Sequence, residues 1–301
     1  PAMVAQGYDA GFSSALSAIS GSLGTVIPPS ITFIIYGMIT GESIGDLFLS
    51  GIIPGLIFGF MLCIMVFIKS KKNGWKGETQ RASLKEIGRL FLDTIWGLLS
   101  PVIVLGGIYS GLFTPTEAAA VAVVYSLIVG IFIYKELRLA ELKETLFSTA
   151  KTTGMILLII MNAGIFSWVL TQQGIAASLT EMALALTDNK YIMLVIINIV
   201  FLCAGCVMDN TSALYILVPI IMPIAKALDI NMIQLGVILV LNLSIGQVTP
   251  PVGPNLYVAA DIGKVKFEEI CRKMVPLLLM SLLALLCITY IPALSLCLIP
   301  S

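Results

Sequence analysis

Long apolar runs separated by short polar turns dominate the chain. A helix needs roughly 20 residues to cross a hydrocarbon core of about 30 Å. Runs of that kind fall at 47–68, 95–112, 118–134, 155–170, 191–207, 235–245 with its continuation, and 276–299. Residues 136–150 alternate charged and apolar positions at helical spacing, which predicts an amphipathic helix at the membrane interface. The polar stretch Lys69–Arg89 holds seven basic residues, whereas residues 1–68 hold none. Basic loops stay in the cytoplasm, so this stretch is read as cytoplasmic. Two helices then go out and back, turning at Phe113-Thr114-Pro115-Thr116-Glu117 and returning to Lys135, Arg138 and Lys143.

Composition sharpens this picture. The 301 residues are 58% hydrophobic and 11% charged, with a mean hydropathy of +1.02. A soluble domain carries about 25% charge; a bilayer, by contrast, solvates apolar side chains directly. Net charge is zero, so nothing points to nucleic acid. The chain has no histidine, which removes the usual zinc sites, His proton relays and Ser-His-Asp triads. Cys203-x-x-Cys206 has the spacing of a redox pair, but no βαβ pattern surrounds it. All six cysteines lie in or beside apolar runs and read as small packing residues.

The strongest signal is an internal repeat. Shifted by 222 residues without gaps, Ser22-Leu23-Gly24-Thr25-Val26-Ile27-Pro28-Pro29 falls on Ser244-Ile245-Gly246-Gln247-Val248-Thr249-Pro250-Pro251. In the same register Pro54 falls on Pro276 and Pro1 on Pro223. A Pro-Pro pair removes N–H donors and clashes with the preceding turn, so each copy predicts a broken helix inside an apolar segment. Freed carbonyls in hydrocarbon cost several kcal/mol each unless protein, water or an ion satisfies them. Unwound carbonyls suit Na⁺, and the new half-helix N-terminus suits a carboxylate. Paired breaks in corresponding positions point to a transporter site; the alternative is a pair of plain proline kinks satisfied by neighbouring helices.

Charge gives the two copies opposite orientations. After the first break the chain reads Gly41-Glu42-Ser43-Ile44-Gly45-Asp46, without a positive residue; the equivalent place in the second copy holds Lys264, Lys266, Arg272 and Lys273. The first connection is therefore expected outside and the second in the cytoplasm, as in an inverted repeat. Upstream of the second break, 191–207 and an apolar run to Leu228 flank Met208-Asp209-Asn210-Thr211-Ser212. This predicts a re-entrant hairpin with Lys190 and Lys226 on one side. Asp209 at its tip is read either as a site residue at depth or as an N-cap for the next helix. The matching tip of the first copy would precede residue 1, so the chain is expected to begin inside a longer protein.

Three segments carry a family resemblance: Gly21–Ser30, Gly106–Ala119 and Gly246–Gly253. They resemble the signatures of the large membrane (M) subunit of tripartite ATP-independent periplasmic (TRAP) transporters, and the likeness extends over essentially the whole chain. It implies an elevator-type, Na⁺-driven importer of organic acids in the bacterial inner membrane. Such an importer works with a small membrane (Q) subunit and a periplasmic substrate-binding protein. Carried over by residue, it places one Na⁺ site around Ser22, Gly24, Thr25 and Ile27, and a second around Asp209, Asn210, Gly246 and Thr249. Gln247, Gly253 and Asn255 are the candidates for substrate contact, and Pro28, Pro29, Pro250 and Pro251 make the breaks. Thr114-Pro115-Thr116-Glu117 reads as a structural helix start.

The expectation is an all-α polytopic membrane protein with inverted repeats, re-entrant hairpins and broken helices. Residues 1–68 and 188–301 would be two halves of a mobile transport domain, and 69–187 a scaffold with an interfacial arm; the resemblance alone implies that division. A symporter or antiporter that needs no binding protein shares the repeats. An intramembrane aspartyl protease needs two facing Asp residues, and only Asp209 is well placed, so no enzyme is expected. A channel requires a continuous polar path, whereas the polar residues cluster at the breaks. Sialic acid and C4-dicarboxylates both fit the substrate class.

Overall fold

A computed structural model describes residues 2–75 and 83–299. Its elements in chain order are α1 (Ala2–Ala5), α2 (Ala10–Leu23), α3 (Ile31–Thr40), α4 (Ile44–Asn73), α5 (Leu84–Tyr109), α6 (Pro115–Ile128), a π-helical turn (Val129–Ile133) and α7 (Leu139–Gln172). Then come α8 (Ile175–Leu186), α9 (Lys190–Val207), α10 (Asn210–Ala227), α11 (Met232–Gly246), α12 (Pro254–Gly263), α13 (Phe267–Tyr290) and α14 (Ala293–Leu296). No strand occurs among the described residues. Seven of these helical stretches are long and apolar enough to cross a membrane.

Two compact units emerge, residues 1–77 with 163–301, and residues 78–162. Within the first, the 222-residue register holds element by element: α2, α3 and α4 correspond to α11, α12 and α13. Both Pro-Pro bonds, Pro28–Pro29 and Pro250–Pro251, are cis. Pro54 and Pro276 each lie inside a long helix. Asp9 and Asn231, which correspond, are both N-caps: Asp9 accepts from Phe12 N at 2.8 Å, Asn231 from Ile233 N and Gln234 N at 3.0 Å. These oxygens satisfy donors that the first helical turn leaves unpaired.

Packing obeys the same symmetry. Helix α2 lies against α12 and α13, as α11 lies against α3 and α4. Lys273 Nζ, near the start of α13, pairs with Asp9 at the start of α2, 3.1 Å away. At the other end Tyr36 in α3 donates its hydroxyl to the Met232 carbonyl at the start of α11, 2.6 Å away. Each pairing thus joins the start of one repeat's first helix to the other repeat's later helices. The core centres on α11, buried from Gln234 through Gly246.

Helices α9 and α10 form a helical hairpin. Helices α9 and α10 are joined at Met208 and Asp209, and Lys190 Nζ clasps the Asp229 carbonyl at 2.9 Å, closing the base.

In the second unit α5 packs on α6. Tyr125 donates its hydroxyl to Trp96 O at 2.6 Å, and Tyr134 to Asp93 O at 3.1 Å. Thr114 and Glu117 form a capping box: Thr114 N donates to Glu117 Oε2 at 2.8 Å, and Glu117 N to Thr114 Oγ1 at 3.3 Å. That is the structural helix start expected at this turn. Most large apolar side chains of α5 and α6 face outward, as a wall solvated by lipid or another apolar surface requires.

Four expectations are corrected. The amphipathic stretch 136–150 and the run 155–170 are not separate helices; α7 is continuous over 34 residues, about 51 Å at 1.5 Å per residue. No proline or capping residue interrupts it, so one helical period carries from the charged part into the apolar part. Lys69–Arg89 is not loop throughout: α4 extends to Asn73 and α5 starts at Leu84, while residues 76–82 lie outside the described residues. The last span starts at Phe267 rather than 276, because Pro276 sits inside α13. Helix α8, short and apolar, is absent from the pattern of long runs; it packs against α10.

Candidate functional site

The two breaks face each other inside the first unit. After Leu23 the chain leaves α2 through tight turns: Thr25 N donates to Ser22 O at 3.1 Å, and Val26 N and Ile27 N both donate to Leu23 O, at 3.0 and 3.2 Å. The carbonyls of Gly24, Val26 and Ile27 then accept no hydrogen bond from any described residue. The second break repeats this. Val248 N donates to Ile245 O at 3.1 Å and Thr249 N to Gly246 O at 2.9 Å, leaving the Val248 and Thr249 carbonyls without a donor among the described residues. Val26 and Val248 correspond in the repeat, as do Ile27 and Thr249. Proline at the next two positions removes the donors that a continuing helix would have supplied. Bare carbonyls flanked by hydroxyls form a donor set that suits a hard monovalent cation.

Hydroxyls and amides stitch the breaks together. Thr25 Oγ1 donates to Ser22 O at 2.8 Å and pairs with Ser244 Oγ across the repeat. Ser244 is the register equivalent of Ser22, and both are buried. On the symmetric side the Ser22 hydroxyl accepts from Asn255 Nδ2 at 3.0 Å and donates to Ala18 O at 3.2 Å. Asn255 Nδ2 also donates to Gln247 Oε1 at 3.0 Å, and Gln247 Nε2 donates to Asn210 Oδ1 at 2.8 Å. Gly253 N donates to Cys206 O at 3.2 Å, tying the hairpin tip to the second break.

The structure therefore brings together Ser22, Thr25, Asn210, Gln247, Gly253 and Asn255. Gly24 and Ile27 lie at the exposed side of the first break. Asp209 is exposed, and its carboxylate accepts from Ser212 N at 3.0 Å and Ser212 Oγ at 2.7 Å, so it caps α10. Thr249 Oγ1 turns back to Ile245 O at 2.8 Å. The N-terminal turns of the outgoing half-helices differ. Ser30 caps α3 through Phe33 N at 3.3 Å, while α12 is capped by backbone, with Asn255 N donating to Gln247 O at 3.1 Å.

Gly205 in α9 and Gly246 in α11 let the hairpin approach the second break. A Cβ on Gly246 would stand 2.7 Å from Gly205 Cα, and one on Gly205 would stand 2.9 Å from Leu243 O.

A second polar cluster has no counterpart among the sequence-predicted sites. Asn242 Nδ2 donates to Asn198 Oδ1 at 2.7 Å, Asn198 Nδ2 to Thr289 Oγ1 at 3.2 Å, and Gln234 Nε2 to Thr289 O at 3.1 Å. All four residues are buried, and Asn242 Oδ1 has no partner among the described residues. Isolated polar letters inside three apolar runs are the signal that could have found it, since each is costly in a membrane unless paired.

Known proteins resemble this chain over nearly its whole length. Residues 1–294 match the model of the family described as "Tripartite ATP-independent periplasmic transporter, DctM component". The isethionate TRAP transporter permease protein DctMQ of Oleidesulfovibrio alaskensis is 41% identical over 293 residues, 97% of this chain and 46% of that protein. The C4-dicarboxylate TRAP transporter large permease protein DctM of Pseudomonas aeruginosa is 42% identical over 296 residues, 98% of this chain and 69% of that protein. The sialic acid TRAP transporter large permease protein SiaM of Vibrio cholerae is 36% identical over 289 residues, 96% of this chain and 67% of that protein. The chain thus spans about half to two thirds of the length of these relatives.

Proposed function

The chain belongs to the DctM component family of tripartite ATP-independent periplasmic transporters, permeases of the bacterial inner membrane and not enzymes; from that premise we propose that it carries Na⁺-coupled import of an organic acid. A periplasmic binding protein delivers the acid, and a small membrane subunit completes the permease. The carrying observation is the pair of facing breaks, each with two bare carbonyls at corresponding positions, bridged by Thr25–Ser244 and by Asn255. In this reading Na⁺ is a co-transported substrate. Ser22, Thr25 and the Gly24 and Ile27 carbonyls hold one ion; Asn210, with the Gly246 and Thr249 backbone and Asp209 beside it, holds the other.

The relatives' names mention isethionate, C4-dicarboxylate and sialic acid. All are organic acids, and that shared acid group defines the proposed substrate class. Gln247, Gly253 and Asn255 line the approach to the second break; their amides and N–H groups would turn from one another to the acid. Residues of the first unit would move as the transport body, in an elevator-type step. Each elementary charge crossing 100 mV is worth about 2.3 kcal/mol. Two Na⁺ with one monoanion carry one net charge, enough for roughly 50-fold accumulation from voltage alone, at about 1.4 kcal/mol per tenfold.

The test is uptake of labelled organic acids by the complete transporter in proteoliposomes, with and without a Na⁺ gradient and with and without the purified binding protein. Uptake that needs both supports the proposal, and the accepted acid identifies the substrate. Na⁺-driven uptake without the binding protein would point to a simple symporter. Uptake indifferent to Na⁺ would remove the cation sites from the breaks.

A further inference from the structure

The amide chain Asn210–Gln247–Asn255–Ser22 runs from the hairpin tip, through the second break, to the first. Its terminal oxygens, Asn210 Oδ1 and Ser22 Oγ, belong to the two different cation sites proposed above. Resting on that reading, we propose that this chain couples the two sites, so that the first Na⁺ to bind makes the second bind more tightly. Gln247 and Asn255 act here as positioning residues.

Two flat amide groups provide the coupling. The Gln247 amide is planar and rigid; its Nε2 holds Asn210 and its Oε1 holds Asn255. Turning that plane to release Asn210 also withdraws Oε1 from Asn255. Asn255 Nδ2 serves both Gln247 and Ser22, so turning it away from Ser22 also breaks the central link. A cation beside Asn210 Oδ1 or Ser22 Oγ attracts the oxygen and repels the positive amide hydrogens that point at it. Binding at either end therefore breaks an end link and the central link together. Binding at the other end then breaks one link only. The cost is met mainly by the first ion, which is the thermodynamic form of positive cooperativity. By reciprocity the effect is the same whichever site fills first.

The chain is asymmetric in a way that fits this role. In the first repeat the position of Gln247 is Thr25, whose hydroxyl reaches Ser244 directly. In the second repeat Gln247 reaches Ser22 only through Asn255. The direct pair is local, whereas the longer chain extends to the hairpin tip and joins α10, the second break, α12 and α2.

The experiment is thermal unfolding of the purified full-length permease with its small subunit, without any organic acid, across a NaCl series balanced with choline chloride. A ligand that binds only the folded state stabilises it logarithmically with concentration, so the slope of that stabilisation against ln[Na⁺] gives the mean number of ions bound, from which the binding curve is built. The wild type is expected to give a steep Na⁺ dependence, with a Hill slope above 1 and approaching about 2, the number of sites. Asn255→Ala, which removes the central and Ser22 links, is expected to bring the slope to about 1 and to lower the half-saturating Na⁺ about fivefold or more. Gln247→Met removes the central and Asn210 links at nearly constant size and is expected to do the same; it decides the matter if Asn255→Ala does not fold. A wild-type slope of 1, or a variant that keeps the wild-type slope, overturns the coupling while leaving Na⁺ binding in place. A wild type stabilised equally by Na⁺ and choline overturns the Na⁺ reading itself.

Discussion

Gly205 and Gly246 meet backbone to backbone, with room for no side chain between them: a Cβ on Gly246 would stand 2.7 Å from Gly205 Cα. The nearest atoms are main chain on both sides, so nothing flexible can give way. Gly246→Ala and Gly205→Ala should each cost about 1–3 kcal/mol by overpacking, read as a lower thermal midpoint of the purified permease. Gly154→Ala is the control. Its Cβ meets nothing within 4 Å and it lies inside α7, so it should stabilise by about 0.5–1 kcal/mol.

Thr25 carries the hydroxyl that pairs directly with Ser244 across the breaks. Thr25→Val keeps its shape and removes the oxygen that bonds Ser22 O and Ser244 Oγ. The half-saturating Na⁺ for uptake should rise about tenfold, equivalent to roughly 1.4 kcal/mol, while uptake at saturating Na⁺ changes less. Ser244→Ala leaves Thr25 its oxygen and should shift the Na⁺ requirement less. Equal effects from the two variants would mean that the hydroxyl pair, rather than Thr25 itself, is what matters.

The buried cluster of Asn198, Asn242, Thr289 and Gln234 should behave as a unit. Asn198→Leu removes the acceptor of one Asn242 amide hydrogen, leaving that group its bond to Ile238 O, and removes the donor to Thr289 Oγ1. It is expected to cost about 1–3 kcal/mol. The double variant Asn198→Leu/Asn242→Leu should cost less than the two single costs added, because it removes both partners together. Thermal unfolding of the four proteins of that cycle measures the difference.

Asp9 gives a pH signature. Burial pushes its carboxyl up, but the Phe12 N–H bond and the neighbouring Lys273 ammonium outweigh it and hold the carboxyl below its ordinary value of 3.8. A carboxyl depressed in the folded state contributes stability above its unfolded value and loses it as pH falls through the folded value. The wild type should therefore unfold at a higher temperature than Asp9→Asn at about pH 6–8. That difference should stay level down to about pH 4 and close only below it. A gap that already narrows on going from neutral to mildly acidic pH would point to some other group.

How much of the fold is legible from letters alone depends on how discrete the letters are. The breaks are legible because Gly24, Pro28 and Pro29 recur at Gly246, Pro250 and Pro251, and proline acts on the backbone whatever surrounds it. The hairpin is legible from Asp209 and Asn210 between two apolar runs. The continuity of α7 is not. Its charged and apolar parts share one helical period, and only a breaker between them would have distinguished two helices from one. Helix α8 escapes notice because its apolar stretch falls short of a span. The meeting of Asn198, Asn242 and Thr289 rests on three helices coming together, which no local pattern encodes. The facing of the two breaks is implied by the repeat, but the partners are not: nothing in the sequence joins Asn255 to Ser22, 233 residues away.

The two matching helix–break–helix units sit in one polypeptide, which frees each to be tuned by itself. Had the same architecture been assembled from two identical chains about a twofold axis, every substitution at one break would appear at the other, and the breaks could only change together. Here Ser22 and Ser244 are the same residue, while Thr25 corresponds to Gln247 and Ile27 to Thr249 in the 222-residue register. Each position can drift alone. One half of the site can thus differ in chemistry from the other within the same chain.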